Sequence, residues 1–184
     1  MIIYIHGFGS HGLGMKADAF REYFQSRGKS FIAPSLSYIP ELAIQTLEEL
    51  INSYNDVQLI GSSLGGFYAL HLAQKYNLKA ILINPSIYPQ ITLKRVLGET
   101  THFYDLSHFE WTIQHLLMLQ KYETTITDER NFLLLLQKDD DLLDYREAMS
   151  KLPQAQQIVE EGGSHGFDGI ERHFEKSLQF FQEE

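Results

Sequence analysis

One serine, one histidine and a run of aspartates stand where their neighbours could make them a nucleophile, a base and an orienting acid. Ser63 lies in Gly61-Ser62-Ser63-Leu64-Gly65, a G-x-S-x-G pattern that places a serine on a sharp strand-to-helix turn. Glycine two residues to either side removes side chains that would collide with the adjoining strand and helix. A serine hydroxyl is a weak nucleophile until a base takes its proton, and the base needs a carboxylate to fix its tautomer. The chain offers His165 in Glu161-Gly162-Gly163-Ser164-His165, and carboxylates at Asp139, Asp140, Asp141 and Asp144. The amide of Leu64, at the start of a helix, and that of Phe8, in His6-Gly7-Phe8, are candidate donors to a developing oxyanion.

The elements that must hold these groups are legible from apolar runs and turn residues. Ile2 to Ile5, Ser30 to Ala33, Val57 to Ile60, Lys79 to Asn84, Asn131 to Gln137 and Ala155 to Glu160 read as strands. Helices follow from apolar spacing: up to about Arg27 with Gly28 as its stop, from Pro40 onward, from Phe67 onward, Leu143 to Leu152, and from about Gly169. Strands apolar on both faces and alternating with helices predict an α/β fold, a parallel sheet covered on both sides. In such folds functional groups gather at the carboxyl ends of strands. Ser63, the aspartates and His165 each fall just past a strand, which singles out His165 among the eight histidines.

Residues 86–130 interrupt the alternation. Ser107 followed by Glu110 has the spacing of a helix capping box. Trp111, Phe103, Phe109 and Leu116-Leu117-Met118 supply apolar surface there, so the insertion is expected to act as a lid, with Trp111 and Met118 binding substrate.

Composition bounds the rest. The 184 residues suit one domain, residues 1–184, and 43% hydrophobic with 21% charged residues is ordinary for a globular chain. A net charge of −9 without a basic stripe argues against nucleic acid as a partner. With no cysteine there is neither a thiol nucleophile nor cysteine-ligated zinc. The chain opens on an apolar strand without a basic leader, and no apolar run is long enough to span a membrane, so a cytoplasmic protein is expected.

In combination, the segments Tyr4-Ile5-His6-Gly7-Phe8, Gly61 to Gly66, Asn84-Pro85, Leu142 to Arg146 and Glu161 to His165 resemble the α/β-hydrolases, and in particular the small bacterial YqiA-type esterases. The chain order Ser, Asp, His agrees. The resemblance implies a three-layer α/β-hydrolase fold with a reduced sheet of about six strands and an insertion after the fourth. It also implies hydrolysis of small carboxylic esters by Ser63, Asp140 and His165, with no metal and no cofactor. Asp139 stands where those esterases tend to have glycine, leaving the acid less sharply marked than Ser63 or His165. A thioesterase would share these residues, and a non-catalytic binding module would share the fold. Gly7-Phe8-Gly9-Ser10-His11-Gly12 also matches the dinucleotide-binding fingerprint, but the acidic residue that motif needs after the second strand is missing at Ile32-Ala33-Pro34-Ser35.

Overall fold

A computed structural model describes residues 1–183. Six parallel strands form one sheet in the order β2-β1-β3-β4-β7-β8, comprising β1 (Ile2–Ile5), β2 (Phe31–Ile32), β3 (Gln58–Ser62), β4 (Ala80–Ile83), β7 (Phe132–Gln137) and β8 (Gln156–Glu160). The helices of the alternation are α1 (Met15–Ser26), α2 (Pro40–Ser53), α3 (Leu64–Tyr76), α6 (Tyr145–Lys151) and α7 (Phe174–Gln182). The chain moves one way from β1 to β2 and the other way from β3 to β4. The carboxyl ends of β1 and β3 therefore open onto the crevice where such sheets bind ligands.

Side-chain alternation along the strands sorts the core into two layers. Ile3, Ile5, Leu59, Ala80, Leu82, Leu134 and Leu136 join one apolar cluster with α2 and α3. Ile2, Tyr4, Ile60, Ile81, Ile83, Leu133 and Leu135 join a second with α1 and α7. On α1 the buried residues Ala17, Phe20 and Phe24 fall at helical spacing, and Phe20 stacks on Phe24 with ring centroids 6.1 Å apart. The result is a three-layer sandwich, with the sheet buried on both faces.

The insertion contains α4 (Pro89–Thr92), the antiparallel pair β5 (Gly98–Thr101) and β6 (His108–Trp111), and α5 (Ile113–Gln120). This corrects the helix expected from Ser107. Residues 108–111 alternate exposed and buried, a strand period, and pair with β5, so cross-strand packing overrides the local capping signal. Ser107 instead donates its hydroxyl to Asp105 at 2.7 Å. The helix begins one turn later, where Thr112 and His115 make the capping box. The last helix is also shorter than expected. A single 3-10 turn, Ile170–His173, precedes α7.

Candidate active site

Ser63 sits between β3 and α3 with φ 55° and ψ −121°, a left-handed conformation that costs a non-glycine residue about 1–3 kcal/mol. The surroundings hold it there. The Ser63 amide donates to the Ile83 carbonyl at 3.1 Å, and its carbonyl accepts from Gly66 and Ser86 at 2.9 and 3.0 Å. The flanking glycines are steric necessities: a Cβ on Gly61 would lie 2.3 Å from the Gly65 carbonyl oxygen, and one on Gly65 would lie 2.0 Å from that of Ile5. The elbow is thus wedged against both β1 and its own helix.

His165 reaches the serine from the loop after β8. Its Nδ1 lies 2.8 and 3.0 Å from the two carboxylate oxygens of Asp140, and its Nε2 lies 2.9 Å from Ser63 Oγ. An ionised carboxylate can only accept, so Nδ1 carries the proton and Nε2 is left to accept from the serine hydroxyl. The Asp140 side chain is only 2% exposed. Burial pushes its carboxyl up, but hydrogen bonds from His165 and from the Leu142 and Leu143 amides prevail and hold it below the usual range. Both amides lie 2.9 Å from Asp140 Oδ1.

The neighbouring acids do other work. Asp144 caps α6 by accepting from the Arg146 amide and pairs with its guanidinium. The Asp139 amide donates to the Gly162 carbonyl, and Asp139 and Asp141 are exposed. Of the four candidates, Asp140 alone meets the imidazole.

The loop carrying His165 is clamped by two residues to which the sequence reading assigned no role. Asn84, at the end of β4 with φ 38°, donates to the carbonyls of Ser164 and His165. Its Oδ1 accepts from the Gln137 amide at 3.0 Å. Gln137 Oε1 in turn accepts from the amides of Ser164 and Asp168. The Gln137 side-chain Nε2 donates to Glu160 Oε2 and to the Asp168 carbonyl. Burial pushes Glu160 up, but bonds from Gln137, Arg172 and His173 draw its carboxyl down to about 2. Each clamp residue closes an apolar run at a strand end, Ile83-Asn84 and Leu136-Gln137, which is the signal that could have marked it.

Facing the elbow, the loop after β1 places Gly7 so close that an added Cβ would lie 3.1 Å from that of Ser63. His6 is buried and holds this loop. Its Nδ1 donates to the Gly7 carbonyl at 2.8 Å and its Nε2 accepts from the Leu36 amide at 2.9 Å. Burial pulls its pKa down, in keeping with a neutral ring. Among the described residues, the amides of Phe8 and Leu64 donate to no protein acceptor. In the Gly7 to Gly12 loop, Gly7 packs on the elbow and Gly12 on the segment after β2, where an added Cβ would lie 2.0 Å from the Ala33 carbonyl oxygen.

A cavity of about 830 Å³ opens at Ser63, walled by Leu93, Val96 and Phe103 from the insertion and by Leu142, Leu143 and Ile170 opposite. The insertion thus contributes a wall, and of the apolar residues expected to form it Phe103 alone lines the cavity. Trp111 and Met118 are absent from the lining. Trp111 is 1% exposed and meets Phe8 edge-on, with centroids 4.8 Å apart. Phe109 packs on Phe8 at 5.6 Å. The β6 strand period turns both aromatics inward, so they support the Phe8 loop and do not face the cavity.

The parallel sheet and the strained serine turn at its carboxyl edge define a protein of the α/β-hydrolase fold. Residues 1–182 match the uncharacterised protein family UPF0227, and the chain belongs to that family. Its relatives include UPF0227 proteins of Vibrio parahaemolyticus, 23% identical over 187 residues, and Yersinia enterocolitica, 24% identical over 192. Each alignment covers 98% of this chain and 98% of the relative. Among solved structures, mouse alpha/beta hydrolase domain-containing protein 10 is similar with a TM-score of 0.81 at 19% identity, over 98% of this chain and 89% of that one. Est1E from Butyrivibrio proteoclasticus, with ferulic acid bound, is similar with a TM-score of 0.75 at 15% identity, over 98% and 87%. Among the described residues, no helix is long and apolar enough to cross a membrane.

Proposed function

We propose that this protein is a serine esterase that cleaves small carboxylic esters through an acyl-enzyme. The observation that carries the reading is the chain of hydrogen bonds from Ser63 through His165 to Asp140 at the floor of an open cavity. Ser63 Oγ attacks the ester carbonyl while His165 Nε2 takes its proton, and Asp140 stabilises the imidazolium. The resulting oxyanion accepts from the amides of Phe8 and Leu64, each such donor contributing about 3–4 kcal/mol in the transition state. Collapse expels the alcohol, which receives the proton from His165. Water, deprotonated by the same nitrogen, then attacks the acyl-serine and releases the acid. The reaction as written uses side chains, backbone amides and water.

The test is labelling with a fluorophosphonate probe together with hydrolysis of 4-nitrophenyl esters. Stoichiometric labelling of Ser63 and saturable hydrolysis, both lost in Ser63→Ala, are expected. A Ser63→Ala protein that hydrolyses the esters at the parental rate overturns the reading.

A further inference from the structure

Lys16, in the first turn of α1, is a charged side chain that the mechanism above does not use. It lines the same cavity as Ser63 and His165, and its Nζ donates to Ser62 Oγ at 2.7 Å. Ser62 is itself buried, so the ammonium is moored one residue from the nucleophile. Among the described residues, no carboxylate lies within ion-pair distance of it. Asp168, on the same cavity wall, is taken by the Ser164 hydroxyl, and Glu171 is exposed.

An ammonium held in a largely apolar cavity with one neutral acceptor is electrostatically incomplete, because a buried charge is costly unless paired. Burial draws its pKa down to about 8, with the Asp140 carboxylate opposing that fall, so it still carries charge at neutral pH. A hydroxyl acceptor occupies one of its three donors. The others are free to meet a ligand that enters the cavity. If the cavity served only neutral esters, an apolar residue at this place would fill the wall at lower cost.

We infer that Lys16 is a specificity-determining residue, and that the substrates are esters carrying a carboxylate or similar anionic group, which pairs with its ammonium while Ser63 attacks the ester carbonyl. The inference rests on the esterase reading and narrows it to a substrate class. The anion could belong to the acyl part or to the alcohol part of the ester, and the assay separates the two.

Two matched pairs serve. Mono-4-nitrophenyl adipate against 4-nitrophenyl hexanoate places the charge on the acyl side. 4-Acetoxybenzoate against its methyl ester places it on the alcohol side. The readout is the ratio of kcat/KM for the anionic and neutral members, compared between wild type and variant so that intrinsic reactivity cancels. In at least one pair Lys16→Met is expected to lower the ratio about tenfold or more, the scale of a charge-assisted hydrogen bond, and Lys16→Arg to recover part of it. A ratio unchanged by Lys16→Met in both pairs overturns the inference while hydrolysis of the neutral esters leaves the esterase reading standing. If Lys16→Met does not fold, Lys16→Gln takes its place. Should wild type hydrolyse neither pair, the esterase reading falls, and calorimetric titration with monomethyl adipate and 4-hydroxybenzoate decides the anion site. Saturable binding to wild type that Lys16→Met lacks supports it, and equal or absent binding overturns it.

Discussion

The side-chain amide of Asn84 donates to the backbone carbonyl of His165 at 3.3 Å, tying the end of a central strand to the residue that approaches Ser63. With its second bond to Ser164 and the Gln137 bonds beside it, this fixes a loop that contains four glycines. Asn84→Ala is expected to lower kcat for ester hydrolysis about tenfold to a hundredfold with KM nearly unchanged, because small misplacements of a catalytic group are costly. Steady-state kinetics and the rate of fluorophosphonate labelling check it, and the two should fall together. A rise in KM at constant kcat would assign Asn84 to substrate binding instead.

Ser63→Ala is expected to reduce kcat by about 10⁶ and abolish labelling. The fold should persist and stability should be equal or slightly changed, since alanine enters the same strained conformation. Circular dichroism and thermal melting establish the fold.

Asp140→Asn is expected to lower kcat by about 10⁴, by favouring the wrong histidine tautomer. Asn at Asp139 or Asp141 should leave kcat within about threefold, as exposed substitutions usually have small effects. Asp144→Asn should shift melting more than rate, through the loss of an ion pair at the start of α6. A collapse in kcat at one of these three, with Asp140→Asn active, would move the orienting role to that residue.

Glu160 is held near 2, below its ordinary value of 4.5. A carboxyl depressed in the folded state stabilises it fully above the unfolded value, and that contribution fades as pH falls through the folded one. Glu160→Gln should therefore melt lower than wild type at pH 7, and the gap should close between about pH 4.5 and pH 2. Parallel melts across that range decide it. A gap independent of pH would show that charge is not the source.

Trp111→Ala is expected to cost about 3–5 kcal/mol of stability, the range for removing a buried large aromatic. Preference among ester chain lengths should stay unchanged, because Trp111 does not line the cavity. Denaturant titration and a chain-length series from acetate to octanoate test both halves.

The strands and the elbow were legible because short apolar runs bounded by glycine and proline leave little choice of structure. Ser63 and His165 were legible because each follows such a run. Selecting Asp140 needed the family resemblance. Its physical reason, the Leu142 and Leu143 amides that turn the carboxylate toward His165, depends on backbone geometry that residue types do not encode. Ser107 with Glu110 suits a helix locally, yet pairing with β5 makes residues 108–111 a strand that turns Phe109 and Trp111 into the core. The helix that does form, α5, buries Leu116 and leaves Leu117 exposed away from the cavity. Asn84, Gln137 and Lys16 went unassigned because a single polar residue at a strand end or on a helix face has many possible partners, and only the assembled sheet selects among them.

The hydrogen bond between His165 and Ser63 joins positions 102 residues apart, and the imidazole arrives on the loop after the last strand of the sheet. A chain emerging from the ribosome would thus present Phe8, Ser63 and Leu64 long before it presented His165. A nascent polypeptide of 150 residues would contain Ser63 and Asp140 but not the imidazole that joins them. On the proposed mechanism Ser63 gains its base only when β8 docks on β7, so the rate of serine labelling during refolding is expected to report completion of the sheet's far edge and not formation of the turn that bears the serine.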